Sequence, residues 1–133
     1  RASTRAPVDG SADSTGDAGC LAPALHFATD GDTLELPGAA AITLGAQGTI
    51  EAWVYRGPTG GGRVFNDWVW FKEDKLLNVP KNGQVHAGFF LPGGGVVEVA
   101  SAAGVVTPDS WRHVAFSYEA SGARAYVDGA LVV

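Results

Sequence analysis

The sequence predicts an all-β fold, an antiparallel two-sheet sandwich of the jelly-roll type. Gly and Pro are abundant, with 19 and 7 among 133 residues, and they interrupt helices and favour short strands joined by turns. No helical periodicity persists over ten residues, whereas about ten short apolar or alternating segments are separated by turn signals. A hydrophobic fraction of 46% with 17% charged residues is typical of a chain that buries a core.

Residues 1–20 are predicted to form a flexible tail or linker, and residues 21–133 the folded domain. Ser, Thr, Ala, Gly and Asp dominate the first segment, which therefore has too little apolar surface to offset the entropy of ordering. The single cysteine, Cys20, excludes an intrachain disulfide framework and a multi-cysteine zinc site. Its state stays open between a free thiol, a lipid-linked residue and a disulfide to another chain.

The first strands are expected near the start of this domain. Residues 24–28 and 33–36 predict a short hairpin with an acidic tip at 29–32. Residues 49–55 alternate between two faces that both carry bulky side chains, which is typical of a strand in a layered β protein. One face holds Ile50, Ala52 and Val54, and the other holds Glu51, Trp53 and Tyr55.

Seven further strands are expected downstream. They span residues 64–71, 75–79, 84–90, 96–100, 111–118, 123–127 and 130–133. Asn82-Gly83 and Asp128-Gly129 predict tight turns, because residues of these types tolerate the positive φ that such turns need.

Three motifs in order resemble the laminin-G-like, concanavalin A-like jelly-roll domains. W-R-H-V-A at 111–115 with Y-V-D-G at 126–129 resembles the signature hairpin of that family. Phe27 with residues 30–37 resembles its opening hairpin, and residues 48–54 resemble an early central strand. The resemblance implies an extracellular domain, with Trp111 in the core and His113 as a structural marker of its strand.

Members of this family usually continue past the Asp-Gly turn, whereas this sequence ends at Val133. We therefore expect a sandwich that lacks its last strands and exposes an apolar groove or an open edge. The missing strands are expected to come from a second chain, a swapped neighbour or a continuation of the same chain.

Charge and motif content exclude several function classes. The net charge of −5 comes without a basic cluster, which disfavours nucleic acid as a partner, and no apolar stretch is long enough to span a membrane. Glycoside hydrolases of this fold place two carboxylates in one groove from alternating positions of a strand. Glu51 and Glu98 each stand alone on their predicted strands, so enzymatic activity is disfavoured.

Two groups of residues are candidate binding sites. Asp30 and Asp32 place two carboxylates on the loop tip at 29–32, which predicts either a calcium site or ordinary turn chemistry, with the turn favoured. Trp68 and Trp70 share one strand face, so they predict either core packing, slightly favoured, or an aromatic platform for a sugar ring. Polar neighbours that can bind sugar hydroxyls in the second case include Asn66 and Asp67. For Trp53 and Tyr55 the sequence leaves the same choice open, between core packing and an exposed aromatic platform.

Together these observations predict a secreted or cell-surface module that binds carbohydrate or another extracellular macromolecule. An alternative is a structural subunit of an extracellular assembly, completed by strands from a neighbouring chain. A weaker alternative is a fragment of a polysaccharide-active enzyme.

Overall fold

The structure is a computed structural model, and it describes residues 24–29, 31–34, 45–66, 75–91 and 95–133. The chain divides into two units, Arg1–Thr43 and Leu44–Val133. The second unit contains eight strands in its described residues. They are β1 (Gly48–Tyr55), β2 (Gly62–Asn66), β3 (Lys75–Val79), β4 (His86–Phe90), β5 (Val96–Ala100), β6 (Trp111–Glu119), β7 (Gly122–Val127) and β8 (Ala130–Leu131).

These strands form two antiparallel sheets of four strands each. One sheet has the order β1-β6-β7-β8, and the other has the order β2-β3-β4-β5. The predicted all-β, two-sheet sandwich is confirmed. In the first sheet β1 is paired with β6 along its whole length, from Gly48 opposite Tyr118 to Tyr55 opposite Trp111.

The core lies between the two sheets and is built from the alternate residues of their strands. From β3 and β4 it receives Leu77, Val79, Ala87 and Phe89, and from β6 and β7 it receives Val114, Phe116, Tyr118, Ala125 and Val127. Three aromatic rings meet at its centre. The Tyr118 ring lies 5.4 Å from that of Phe89 and 5.5 Å from that of Phe116, so the two sheets are joined by direct ring contacts.

Both predicted tight turns are present. Gly83 has φ 72°, and the Asp128-Gly129 turn between β7 and β8 has φ values of 50° and 79°. β-Branched residues rarely adopt these values, whereas Gly and Asp tolerate them. The turn chemistry read from the sequence is therefore what sets the register of the last hairpin.

Several expected strands differ from the structure, and the strand expected at 130–133 is the shorter β8. Residues 24–28 and 33–34 form no strand, and the remaining part of that predicted hairpin, 35–36, lies outside the described residues. The strand expected at 84–90 begins at His86, because the Val85 amide donates to the Ser101 hydroxyl at 2.9 Å rather than to a neighbouring strand. The strand expected at 64–71 appears as β2, and residues 67–71 lie outside the described part.

The predicted tail at residues 1–20 also lies outside the described residues, so its boundary stays a prediction. Within the described part of the chain, no helix is long and apolar enough to cross a membrane.

Candidate functional site: an exposed aromatic face

The outer surface of β1 and β6 carries four ring side chains. The alternation that buries Ile50 and Phe116 turns the intervening residues of both strands outward, away from the core. We call the set Trp53, Tyr55, Trp111 and His113 the aromatic face. Trp53 is 66% exposed, Tyr55 53% and Trp111 51%, although burial of such large rings is normally favourable. Contiguous exposed aromatic surface of this kind marks interaction sites more often than a monomer's ordinary surface.

The four rings are arranged as two cross-strand rows. Tyr55 lies opposite Trp111, with ring centroids 5.8 Å apart and planes inclined by 60°. Trp53 lies opposite His113, with centroids 5.3 Å apart and planes inclined by 56°. The Tyr55–Trp111 pair is edge-to-face and the Trp53–His113 pair is tilted, and aromatic pairs in such arrangements contribute roughly 0.5–1.5 kcal/mol beyond their buried area. Each row therefore holds its rings in place while leaving much of their surface open.

Polar groups continue the same surface along the strands. Glu51 lies two residues before Trp53, and its Oε2 atom is 3.6 Å from Nε2 of His113. Further along, Ser117 on β6 lies opposite Arg124 on β7. The Arg124 guanidinium is 3.1 Å from the Glu119 carboxylate, and hydrogen bonds from Ser121 and Arg124 lower the pKa of Glu119. Along β6, the outer surface is thus aromatic near Trp111 and polar near Ser117.

The Asp-Gly turn after β7 holds the part of β6 that carries the aromatic face. The Asp128 carboxylate accepts one hydrogen bond from the His113 backbone N–H at 3.0 Å and another from Arg112 at 2.7 Å. Arg112 also donates from Nε and Nη2 to the Thr107 hydroxyl, at 3.0 and 2.7 Å. The bonds from His113 and Arg112 lower the pKa of Asp128, so the carboxylate stays charged at neutral pH.

A buried arginine fixes the end of β1 next to Tyr55. Arg56 is 8% exposed, and its guanidinium makes four hydrogen bonds to three backbone carbonyls. The acceptors are Val106, Gly60 and Lys81, which belong to three different loops. In addition, the Arg56 carbonyl accepts a hydrogen bond from Asp109 at 2.8 Å. One side chain thereby ties together the loops at this end of the sandwich.

Trp111 does not lie in the core, contrary to the prediction drawn from the family motif. It begins β6 and is 51% exposed. The reason is strand periodicity: Val114, Phe116 and Tyr118 face inward, so Trp111 and His113 face outward. This signal was present in the sequence, since counting back from Phe116 in steps of two never reaches Trp111. The open choice for Trp53 and Tyr55 is decided in favour of exposure.

The platform predicted from the sequence is mostly outside the described residues. Asp67, Trp68 and Trp70 all lie there, so their role stays a prediction. Asn66 is exposed at the end of β2, opposite Leu76 on β3. Because β2 and β1 belong to different sheets, Asn66 is not part of the aromatic face.

The acidic loop near the start of the chain has local turn geometry. Asp32 accepts hydrogen bonds from the backbone N–H groups of Ala28 and Thr29, each at 2.8 Å, and from the Thr29 hydroxyl at 3.0 Å. These bonds, those from Thr29 most of all, lower the pKa of Asp32. Asp30 lies outside the described residues, and among the described ones no group of three His, Cys, Asp or Glu residues could hold a metal ion. Calcium binding there stays a prediction.

The two carboxylates considered for glycoside hydrolysis lie in different sheets. Glu51 is on β1, and Glu98 is on β5, where its Oε2 atom is 3.9 Å from Nε2 of His86. Both side chains are more than half exposed, at 63% and 61%. They therefore do not form an acid–base pair across one groove.

Comparison with protein families decides the relationship of this chain. Residues 28–133 match the laminin-G family described as the concanavalin A-like lectin/glucanases superfamily. The chain belongs to this family. Laminin-G-like domains bind carbohydrate or proteins in general, are typically non-catalytic and are often extracellular. Comparisons with curated proteins and with solved structures gave no significant match.

Proposed function

We propose that this laminin-G-like domain is a non-catalytic carbohydrate-binding module whose binding surface is the aromatic face. The observation that supports this is the pair of exposed cross-strand rows on β1 and β6. Sugar rings have an apolar C–H side that packs on aromatic surfaces, and hydroxyl groups that need polar partners at the edge. Trp53, Tyr55 and Trp111 of the aromatic face offer the apolar surface. Glu51 and His113 offer the polar partners for the hydroxyl groups.

The test is binding of the full chain to a glycan array, followed by calorimetric titration of the glycans that bind. Trp53→Ala and Trp111→Ala should each weaken binding at least about fivefold, the equivalent of roughly 1 kcal/mol of lost ring contact. Their melting temperatures should fall by no more than several degrees, because each substitution removes one ring pair and both side chains are more than half exposed.

Two control variants make the result specific. Leu131→Ala removes another exposed apolar side chain of the same sheet, 61% exposed, and should leave affinity unchanged. Trp68→Ala with Trp70→Ala tests the platform predicted from the sequence. Loss of binding in that double variant, with Trp53→Ala silent, moves the site to residues 66–70. Absence of binding to every glycan, with capture of a defined extracellular protein instead, contradicts the carbohydrate proposal.

The assembly alternative rests on the strand edges. Among the described residues, β1 is hydrogen-bonded to β6 alone, and an open eight-residue edge can accept a further strand. Light scattering across a dilution series separates the two functions. A monomer at all concentrations that still binds glycan supports the binding module, whereas a concentration-dependent oligomer supports the structural subunit. Secretion or surface display is proposed with either function, and protease accessibility on intact cells tests it.

A further inference from the structure

The region of β1 and β6 that is suited to a ligand is long and narrow. Its outward residues on β1 run from Thr49 to Tyr55, six residue steps or about 20 Å, while the surface is about two strands or 10 Å wide. Across the sheet, β7 lies next to β6 on the side away from β1. The Asp128-Gly129 turn at the end of β7 limits the aromatic rows on that side. The longest path across suitable chemistry therefore runs parallel to the strands.

The two aromatic rows are separated along that path. Trp53 and Tyr55 are two residues apart in one strand, which places the rows about 7 Å from each other. A pyranose ring is about as large as one aromatic side chain, so one sugar can pack on rings of one row but does not reach the other row. Contact with both rows requires two linked sugar rings. Past the row formed by Trp53 and His113, the ligand reaches Glu51 and then Ser117, whose side chains can bind hydroxyl groups.

The charges on this surface disfavour an acidic ligand. Glu51 is 63% exposed and lies beside the row formed by Trp53 and His113. Arg124 carries a positive charge on the described part of this surface, but its guanidinium is already paired with the Glu119 carboxylate at 3.1 Å. The chain as a whole carries a net charge of −5. A sulfated or carboxylated glycan would meet repulsion here without a compensating cationic cluster.

Resting on the proposed function, we propose that the aromatic face binds an unbranched, neutral polysaccharide lengthwise along β1 and β6. At least two consecutive sugar rings contact the aromatic rows, and the chain continues over Glu51. A protein ligand is the competing occupant, and it is an outcome of the test.

The test is a titration of the full chain with neutral linear oligosaccharides of one, two, four and six units, from gluco-, xylo-, manno- and galacto-series. At least one series should bind, with affinity rising about fivefold or more from one to four units and then levelling off. Trp53→Ala and Trp111→Ala should each reduce that length dependence. Glu51→Gln removes the charge of that carboxylate and should raise the affinity for a uronic acid oligosaccharide relative to that for the matched neutral chain.

The outcomes separate this inference from the proposed function. Equal affinity for one and four units, or preference for branched or anionic glycans, overturns the lengthwise neutral ligand while leaving a carbohydrate-binding module intact. A length dependence that survives in the Trp53→Ala, Trp111→Ala double variant also overturns it. Binding of a protein but of no glycan in any series overturns both.

Discussion

Replacing Arg56 by Met should destabilise the sandwich more than replacement of any exposed charge. Met keeps an apolar stem of similar length but removes all four hydrogen bonds to the carbonyls of Val106, Gly60 and Lys81. Those carbonyls belong to separate loops, so the substitution frees three connections at once. The buried Val106 carbonyl, which accepts two of the bonds, loses both of them.

The expected loss in the free energy of unfolding is about 3 kcal/mol. A single hydrogen bond to a charged group has a net contribution of roughly 1.5–3 kcal/mol, bonds made by one side chain are not additive, and a buried unsatisfied carbonyl costs roughly 1–3 kcal/mol. Dehydration of the guanidinium offsets much of the sum, because no carboxylate is among its hydrogen-bond acceptors. For a domain of this size, a loss of that magnitude lowers the melting temperature by about 15 °C.

Urea unfolding followed by tryptophan fluorescence measures this change. All four tryptophans lie in Leu44–Val133, so the signal reports on the unit that contains Arg56. The midpoint should fall while the denaturant slope stays constant. Arg124→Met is the matched control, because its side chain is 53% exposed and its surface ion pair contributes less than about 1 kcal/mol. An Arg56→Met midpoint equal to that of the control would refute the reasoning.

Gly83→Ala is a second substitution that tests the hydrogen-bond network around Arg56. An added Cβ at this positive-φ position would lie 2.6 Å from the Val106 carbonyl oxygen and 3.2 Å from Nη2 of Arg56. Because both substitutions disturb one network, the double variant should lose less stability than the sum of the two single variants. Strict additivity would show that Arg56 acts independently of this turn.

Two other substitutions test the turn after β7 and the centre of the core. Asp128→Ala should lower the melting temperature at neutral pH, and the difference from wild type should shrink in acid to the part that comes from placing Ala at a positive φ. The folded-state pKa of Asp128 is lowered, so its stabilisation is present above the ordinary value of 3.8 and is lost as pH falls through the folded value. Asp128→Asn, which tolerates the positive φ, should lose less; equal losses in both variants at every pH would contradict the role of the charge. Tyr118→Phe should change the free energy of unfolding by less than about 1 kcal/mol, or raise it, because the buried hydroxyl has no hydrogen-bond partner among the described residues. A loss above that value, measured by urea unfolding, would reveal a partner for the hydroxyl.

Much of the fold was predictable because it depends on short-range rules. The limits of β3 and β5 agree with the sequence prediction, since each is an apolar or alternating segment bounded by turn residues. Asp128-Gly129 predicted its own turn for the same reason. The hairpin expected at 24–36 failed in its described part because the Asp32 carboxylate satisfies the local backbone N–H groups, which a strand would otherwise pair.

The binding surface was less accessible to sequence reasoning. Trp53 and Trp111 are 58 positions apart in the sequence, and no local pattern indicates that they belong to neighbouring rows of one face. Strand alternation from Phe116 predicts that Trp111 faces outward, but the family motif led to the opposite prediction. The Arg56 network was not predicted either, because its acceptors are backbone carbonyls, which any residue provides.

The sequence by itself determined the class of this protein: Gly, Pro and the Asp-Gly and Asn-Gly turns specify an antiparallel β architecture, and the W-R-H-V-A and Y-V-D-G motifs indicate its family. Only the tertiary structure decided which aromatic side chains face outward together. The pairing register of β1 with β6 places Tyr55 against Trp111 and Trp53 against His113. That register arises from the inward packing of Ile50, Val114 and Phe116 against the second sheet, because a slip of one residue would turn these side chains out of the core.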